Sequence, residues 1–431
     1  MSVGPIEGAW AFALVLALIL LRLPVAIAMG AVGAAGMVLT SGAHSAGFLL
    51  GRAAFDAAFP YALSVVPLFV AMGVITARAG LGRSLYGLMT ACVGHYRGGL
   101  AMATITACAA FGAICGSSIA TVATMGSVAL PEMKARGYAD SLAAASVVAG
   151  GTLAVMIPPS ILLVLYGLMT QQSIGKLFLA GVLPGLLGMM LYLGAVSYTV
   201  WRHPASAPPS LRQAWRSRGT ALRRVWSVAL LFTVVLAGLF LGWFSPTEAA
   251  AVGVSGAVLL ALPRLSLADW KAAFTEIALT TGMIFTVLIG ATVFNAFIES
   301  TRLADTMIGW VGDQGWPRGW VIALLMLFYI ALGTLMDGIS MILLTVVPAT
   351  ALITALGLDP IWFGVMLVTV CEIGMITPPV GMNLFVVQRI GHLSMRTVVA
   401  GITPFVAADV VRLLFLCAWP ALATWLPMQL N

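Results

Sequence analysis

Two short stretches of this chain gather oxygen atoms at a spacing that could hold an ion. In FGAICGSSIAT, Gly116, Ser117, Ser118 and Thr121 stand together, and Ser117 and Thr121, four apart, share one face of a helix. Hydroxyls and backbone carbonyls without a carboxylate make a neutral oxygen cage. By analogy with other transporters, sodium is its natural guest. In LGTLMDGIS, Gly333, Thr334, Asp337, Gly338 and Ser340 play the equivalent part. A second feature accompanies each stretch. MIPPS sets Pro158 beside Pro159, and MITPPV sets Pro378 beside Pro379, all inside apolar runs. Proline lacks an N–H and pushes its predecessor out of the helical region, so each pair should end one helix and open the next. The breaks free carbonyls near Ala154, Val155 and Met156 and around Gly374, Met375 and Thr377. Half-helix ends bear about half a unit charge, so the carbonyl end suits a cation and the N–H end an anion.

Lipid is the solvent in which these residues must be positioned. The 431 residues are 61% hydrophobic and 8% charged, with a mean hydropathy of +1.07. A soluble domain carries roughly 25% charged residues. Apolar runs recur from about residue 8 to residue 426, and the length allows ten or more spans of about 20 residues. Glu7 precedes the first run and no basic segment does, so no cleavable signal is expected. Cys92, Cys108, Cys115, Cys371 and Cys417 lack metal-ligand or redox spacing and read as small buried residues. The net charge of +7 does not point to nucleic acid, because basic residues in a membrane protein mainly set its orientation.

The segment WRHPASAPPSLRQAWRSRGTALRRVW has six arginines and no acid, which puts it in the cytoplasm. Counting spans outward from it keeps most basic residues inside and leaves Arg52, Lys176, Arg302 and Arg318 outside. Both termini are then periplasmic. The flanking halves read as one pattern. Residues 1–200 hold scaffold helices, an apolar hairpin at about 98–134 and a broken helix at about 139–170. After a basic linker at 201–224, residues 225–431 hold a hairpin at about 319–357 and a broken helix at about 360–387. Pro158 and Pro378 are 220 apart, as are Gly137 and Gly357. The first hairpin enters from inside and the second from outside, an inverted-topology repeat of the kind common in secondary transporters. Charge does not separate a re-entrant hairpin from two full spans. The Gly- and Ser-rich tips favour re-entry, because non-helical backbone at membrane depth must be buried or line a cavity.

Asp337, Glu372 and Asp409 fall in apolar runs, where an acid is costly and marks function by default. Asp337 is at a hairpin tip and Glu372 beside the second break, so both read as functional. Asp409 precedes Arg412 by three residues, the spacing of an ion pair. His44, His95, His203 and His392 read as solvated loop residues near the membrane surfaces. Intramembrane proteolysis is disfavoured: LMDGIS is not the GxGD of an aspartyl protease, and CGSSIA lacks the GxSG of a rhomboid-like one. None of Lys134, Lys176 and Lys271 is followed by Ser or Thr, which excludes a P-loop pump.

The stretch FGAICGSSIATVATMGSVALPEMKARGYADSLAAASVVAGGTLAVMIPPSILLVLYG resembles the large membrane subunit of tripartite ATP-independent periplasmic (TRAP) transporters, the DctM-like family. LMDGISMILLTVVPATALITALGLDPIWFGVMLVTVCEIGMITPPVGMNLF is similar to that subunit's second repeat, and the resemblance extends over nearly the whole chain. It implies an all-α polytopic protein of the bacterial inner membrane, with elevator-type transport and scaffold domains. It implies sodium-coupled import of a small organic acid, such as a C4-dicarboxylate or a sugar acid, with sodium as coupling ion and no other cofactor. The implied partners are a small four-helix membrane subunit and a periplasmic substrate-binding protein. The small subunit is expected to be separate, since the chain starts close to its first span. Carried over by position, the resemblance assigns Ser117, Ser118, Thr121, Gly151 and the carbonyls before Pro158 to one sodium site. It assigns Gly333, Asp337, Gly374 and Thr377 to the other. The substrate anion would sit at half-helix N-termini beside Ser160, Ser340 and Asn383. A stand-alone sodium–dicarboxylate symporter of the same inverted-repeat architecture is the alternative; it would need no binding protein.

Overall fold

The computed structural model describes residues 4–208 and 215–429; residues 209–214 of the basic linker, with Arg212, lie outside the described residues. Among the described residues every regular element is helical, because helices satisfy their backbone polar groups internally in hydrocarbon. Among the described residues, eight helices are long and apolar enough to cross a membrane. The chain opens with α1 (Pro5–Leu20), α2 (Val25–Ala58), α3 (Val65–Arg78) and α4 (Leu81–Val93). The first hairpin is α5 (Gly99–Cys115) and α6 (Ser118–Ala135). The first broken helix is α7 (Asp140–Thr152), a 3-10 turn (Leu153–Val155) and α8 (Ile161–Thr170), followed by α9 (Ile174–Arg202). Then come α10 (Trp215–Phe240), α11 (Pro246–Ala261), α12 (Leu267–Ser300) and α13 (Leu303–Asp313). The second hairpin is α14 (Arg318–Leu335) and α15 (Gly338–Ala355). The second broken helix is α16 (Pro360–Ile376) and α17 (Met382–Gly391), followed by α18 (Met395–Ala418) and α19 (Ala421–Gln429).

The repeat register runs further than the prolines. Gly181 and Pro184 in α9 stand 220 residues before Gly401 and Pro404 in α18. Packing follows the same symmetry. Each hairpin lies on the pre-break half-helix of its own repeat, α5 and α6 on α7, α14 and α15 on α16. Each second arm also packs on the post-break half-helix of the other repeat, α6 on α17 and α15 on α8. The following helices cross over in the same way, α18 onto α7 and α9 onto α16. Outside this interlocked core, α2 pairs with α12 and α3 with α11. On α2 a Cβ at Gly33 would stand 2.7 Å from the Phe294 backbone. Small residues permit such close helix approach where lipid offers no hydrophobic drive to associate.

Gly116, at the tip of the first hairpin, is buried against the Pro159 carbonyl in the break between α7 and α8, so this tip meets the broken helix directly. Two expectations are corrected. α2 continues to Ala58 through a bend at Gly42, whose φ of 82° only glycine takes readily. His44 is accordingly on an exposed helix and not in a loop. Cys92 and Cys417 are exposed, while Cys108, Cys115 and Cys371 are buried, since an apolar run in a membrane protein has a lipid face as well as a core face.

Candidate functional site: two cradles where a hairpin tip meets a broken helix

The first cradle is built by the Gly116–Ser117 turn and the Pro158–Pro159 break. Gly116 adopts a φ of +62°, and its N–H bonds back to Gly112 O at 2.7 Å, closing α5. Ser117 then caps α6, its hydroxyl accepting from the Ala120 N–H at 3.4 Å. Ser118 is buried and accepts a hydrogen bond from Asn383 Nδ2 at 2.7 Å. Thr121, one turn on, is fully buried, and its hydroxyl has no partner. Asn383 Oδ1 is likewise buried and unpartnered. Two neutral oxygens with no proton donor are what a desolvated hard cation requires, so these residues fit such an ion. Asn383 thus bridges the first hairpin tip to the second broken helix, joining the expected cation and anion positions.

On the break side, the peptide bond between Pro158 and Pro159 is cis. Ser160 caps α8, accepting from the Leu163 N–H at 3.3 Å, and its hydroxyl donates to the Val155 carbonyl. Two expected ligands, Ser160 Oγ and Val155 O, are therefore bonded to each other. Met156 O packs on Gly181 of α9, where a Cβ would stand 2.6 Å away. Gly151 faces Val122 of α6. Ala154 packs against Gly112 of α5, so its backbone lies beside the hairpin.

The second cradle repeats this plan with other side chains. Asp337, 220 residues after Ser117, caps α15: Oδ2 accepts from the Ser340 N–H at 3.0 Å, and Oδ1 accepts from the Ser340 hydroxyl at 2.6 Å. Gly333 and Gly374 touch directly, and a Cβ on Gly374 would stand 2.5 Å from the Gly333 carbonyl carbon. Gly338 reaches across to Leu162 of α8. Thr334 donates to Ala331 O at 2.7 Å, inside its own helix. Thr377 ends α16, its hydroxyl donating to Ile373 O at 2.5 Å, beside buried Met375. The Pro378–Pro379 peptide bond is cis as well.

Behind both breaks lies a buried ionic group that sequence reasoning saw only in part. Asp409 and Arg412 do pair, at 2.9 Å. Arg412 also pairs with Glu372, so Glu372 is not a free acid beside the break. All three side chains are fully buried. Gly188 leaves the room that the guanidinium fills. Tyr192 donates to Asp409 Oδ2 at 2.6 Å and lies 3.1 Å from the Thr152 hydroxyl. The signal for these partners was the 220-residue register itself, which aligns Thr152 with Glu372 and Tyr192 with Arg412. Among the described residues no group of three His, Cys, Asp or Glu side chains is placed to hold a metal ion.

Residues 12–422 match the family described as "Tripartite ATP-independent periplasmic transporter, DctM component". The chain is 34% identical over 383 residues to the C4-dicarboxylate TRAP transporter large permease protein DctM of Pseudomonas aeruginosa, covering 88% of each. It is 32% identical to the isethionate TRAP transporter permease protein DctMQ of Oleidesulfovibrio alaskensis, with 93% of this chain matching 63% of that one. Among solved structures, the YdaH transporter of Alcanivorax borkumensis has the same fold at a TM-score of 0.59 and 17% identity, covering 89% of this chain and 90% of that one.

Proposed function

The chain belongs to the DctM family of large permease subunits of tripartite ATP-independent periplasmic transporters, and from that premise we propose that it imports a small organic acid driven by sodium. The observation that supports this most is the pair of fully buried, unpartnered oxygens, Thr121 Oγ and Asn383 Oδ1, where a hairpin tip meets the broken helices. A cation draws on these atoms, on Ser118 and on the carbonyls of the first break. A second cation draws on the Gly333–Asp337 tip and on the carbonyls around Gly374. The N-termini of α8 and α17, beside Ser160 and Asn383, point free N–H groups at the substrate carboxylate. Ser340 supports that position through Asp337. The two relatives described above are named for C4-dicarboxylate and isethionate, and a small anion of that kind is the class proposed here.

The packing supports an elevator movement. The hairpins and broken helices form one interlocked body, which slides elevator-fashion against α2, α3, α11 and α12. The chain matches 63% of a relative whose name denotes a fused permease, which supports a small membrane subunit as partner. A periplasmic binding protein would deliver the anion to the outer face. The same reading takes the protein as an inner-membrane one with both termini in the periplasm, which the arginine-rich segment 201–226 supports.

The test is uptake of radiolabelled carboxylates into proteoliposomes holding this chain and its small subunit, with and without an inward sodium gradient, and with and without the binding protein. Uptake that needs both is the expected result. Uptake with sodium alone would make the chain a stand-alone symporter. Uptake indifferent to sodium would remove the cation from both cradles.

A further inference from the structure

Thr152, Tyr192, Asp409, Arg412 and Glu372 are fully buried and lie on four helices, α7, α9, α16 and α18. None belongs to either cradle, yet Thr152 follows Gly151 directly and Glu372 lies two residues before Gly374. The repeat register explains their arrangement. Thr152 and Tyr192 are the first repeat's version of Glu372 and Arg412, so a neutral contact in one repeat corresponds to an ion pair in the other. Asp409 breaks the symmetry, because its repeat equivalent is Met189. Its carboxylate accepts from Tyr192 and pairs with Arg412, and so joins the two halves into one chain of contacts. Two acids and an arginine are costly to bury, and a well-packed apolar set is often at least as stable. A fold needing only bulk here would repeat the neutral solution.

We propose that these five side chains are a positioning network that couples the two broken helices, so that a displacement at one break is transmitted to the other. The network touches neither ion nor substrate. It acts through the helix ends whose carbonyls form the cradles, and in transport it would make occupancy of one cradle felt at the other. That consequence rests on the sodium-coupled reading; the mechanical link does not.

The decisive variant is Tyr192→Phe, which removes one hydroxyl and the bond that joins the halves. In lipid nanodiscs, amide hydrogen exchange of the full chain is followed in segments 153–163 and 373–384. The expected result is about tenfold faster exchange in both segments. Faster exchange beside Thr152 only, or in neither segment, overturns the proposal. If Tyr192→Phe lowers the melting temperature broadly, Asp409→Ala removes the acceptor of the same bond and is judged by the same two segments. In uptake, Tyr192→Phe should raise the sodium concentration for half-maximal rate and flatten the sodium response, with the maximal rate within about twofold. Wild-type uptake indifferent to sodium would sink the proposed function, and the exchange measurement would still decide the network.

Discussion

At the first cradle the hairpin's second arm is capped by a hydroxyl, Ser117; at the second, 220 residues on, it is capped by a carboxylate, Asp337. The same contrast recurs behind the breaks, where Thr152 and Tyr192 face each other in one repeat and Glu372 and Arg412 in the other. The backbone plan is shared: tight turn, capped arm, paired prolines, half-helix. The charges are not. Caps and breaks act through backbone N–H and C=O groups, which any short acceptor or any proline satisfies equally. Buried charges act through their partners, and a partner gained in one repeat need not arise in the other. The two cradles therefore share a geometry and differ in electrostatics.

Three pairs of substitutions test that contrast, in falling order of effect. Arg412→Met strips the second repeat of its cation and leaves Glu372 and Asp409 buried together. The cost should be about 3–5 kcal/mol, read as loss of monodisperse protein in detergent, whereas Thr152→Val in the first repeat should leave the protein folded. Gly374→Ala comes next. Its Cβ would collide with the Gly333 backbone, which cannot yield as a side chain can, at a cost of about 1–3 kcal/mol. Uptake should fall sharply while Gly338→Ala, whose Cβ meets only the ends of the Leu162 and Cys371 side chains, stays near wild type. Uptake equal in the two variants would mean that tip and break need not touch. The smallest effect belongs to the caps. Asp337→Ala should cost about 1 kcal/mol through the lost cap, visible as a lower melting temperature. Asp337→Ser should restore stability but not sodium affinity, separating the cap, which Ser117 shows a hydroxyl can make, from the charge, which it cannot supply.

Much of the fold was legible in residue order. The double prolines, the Gly116 turn and the Asp409–Arg412 spacing all act within a few residues. Composition alone demanded helices in lipid. The site was legible in outline only. Ser117, Ser118, Thr121 and Asn383 were singled out, but the bond between Ser118 and Asn383 joins residues 265 apart in sequence, and no local pattern encodes it. Asp337 reads as functional at its hairpin tip, and Ser340 three residues on already offers the cap. Glu372 reads as functional beside the break, and local spacing pairs Arg412 with Asp409 alone, so the Glu372–Arg412 pair across 40 residues is invisible to it.

The sequence by itself determined where helices stop, since proline and left-handed glycine constrain the chain through their own dihedrals and missing N–H groups. Only the tertiary structure decided which buried charges share a counter-ion and which oxygens are left without a donor. Those outcomes depend on what is desolvated together, and that is set by helices brought side by side from distant parts of the chain.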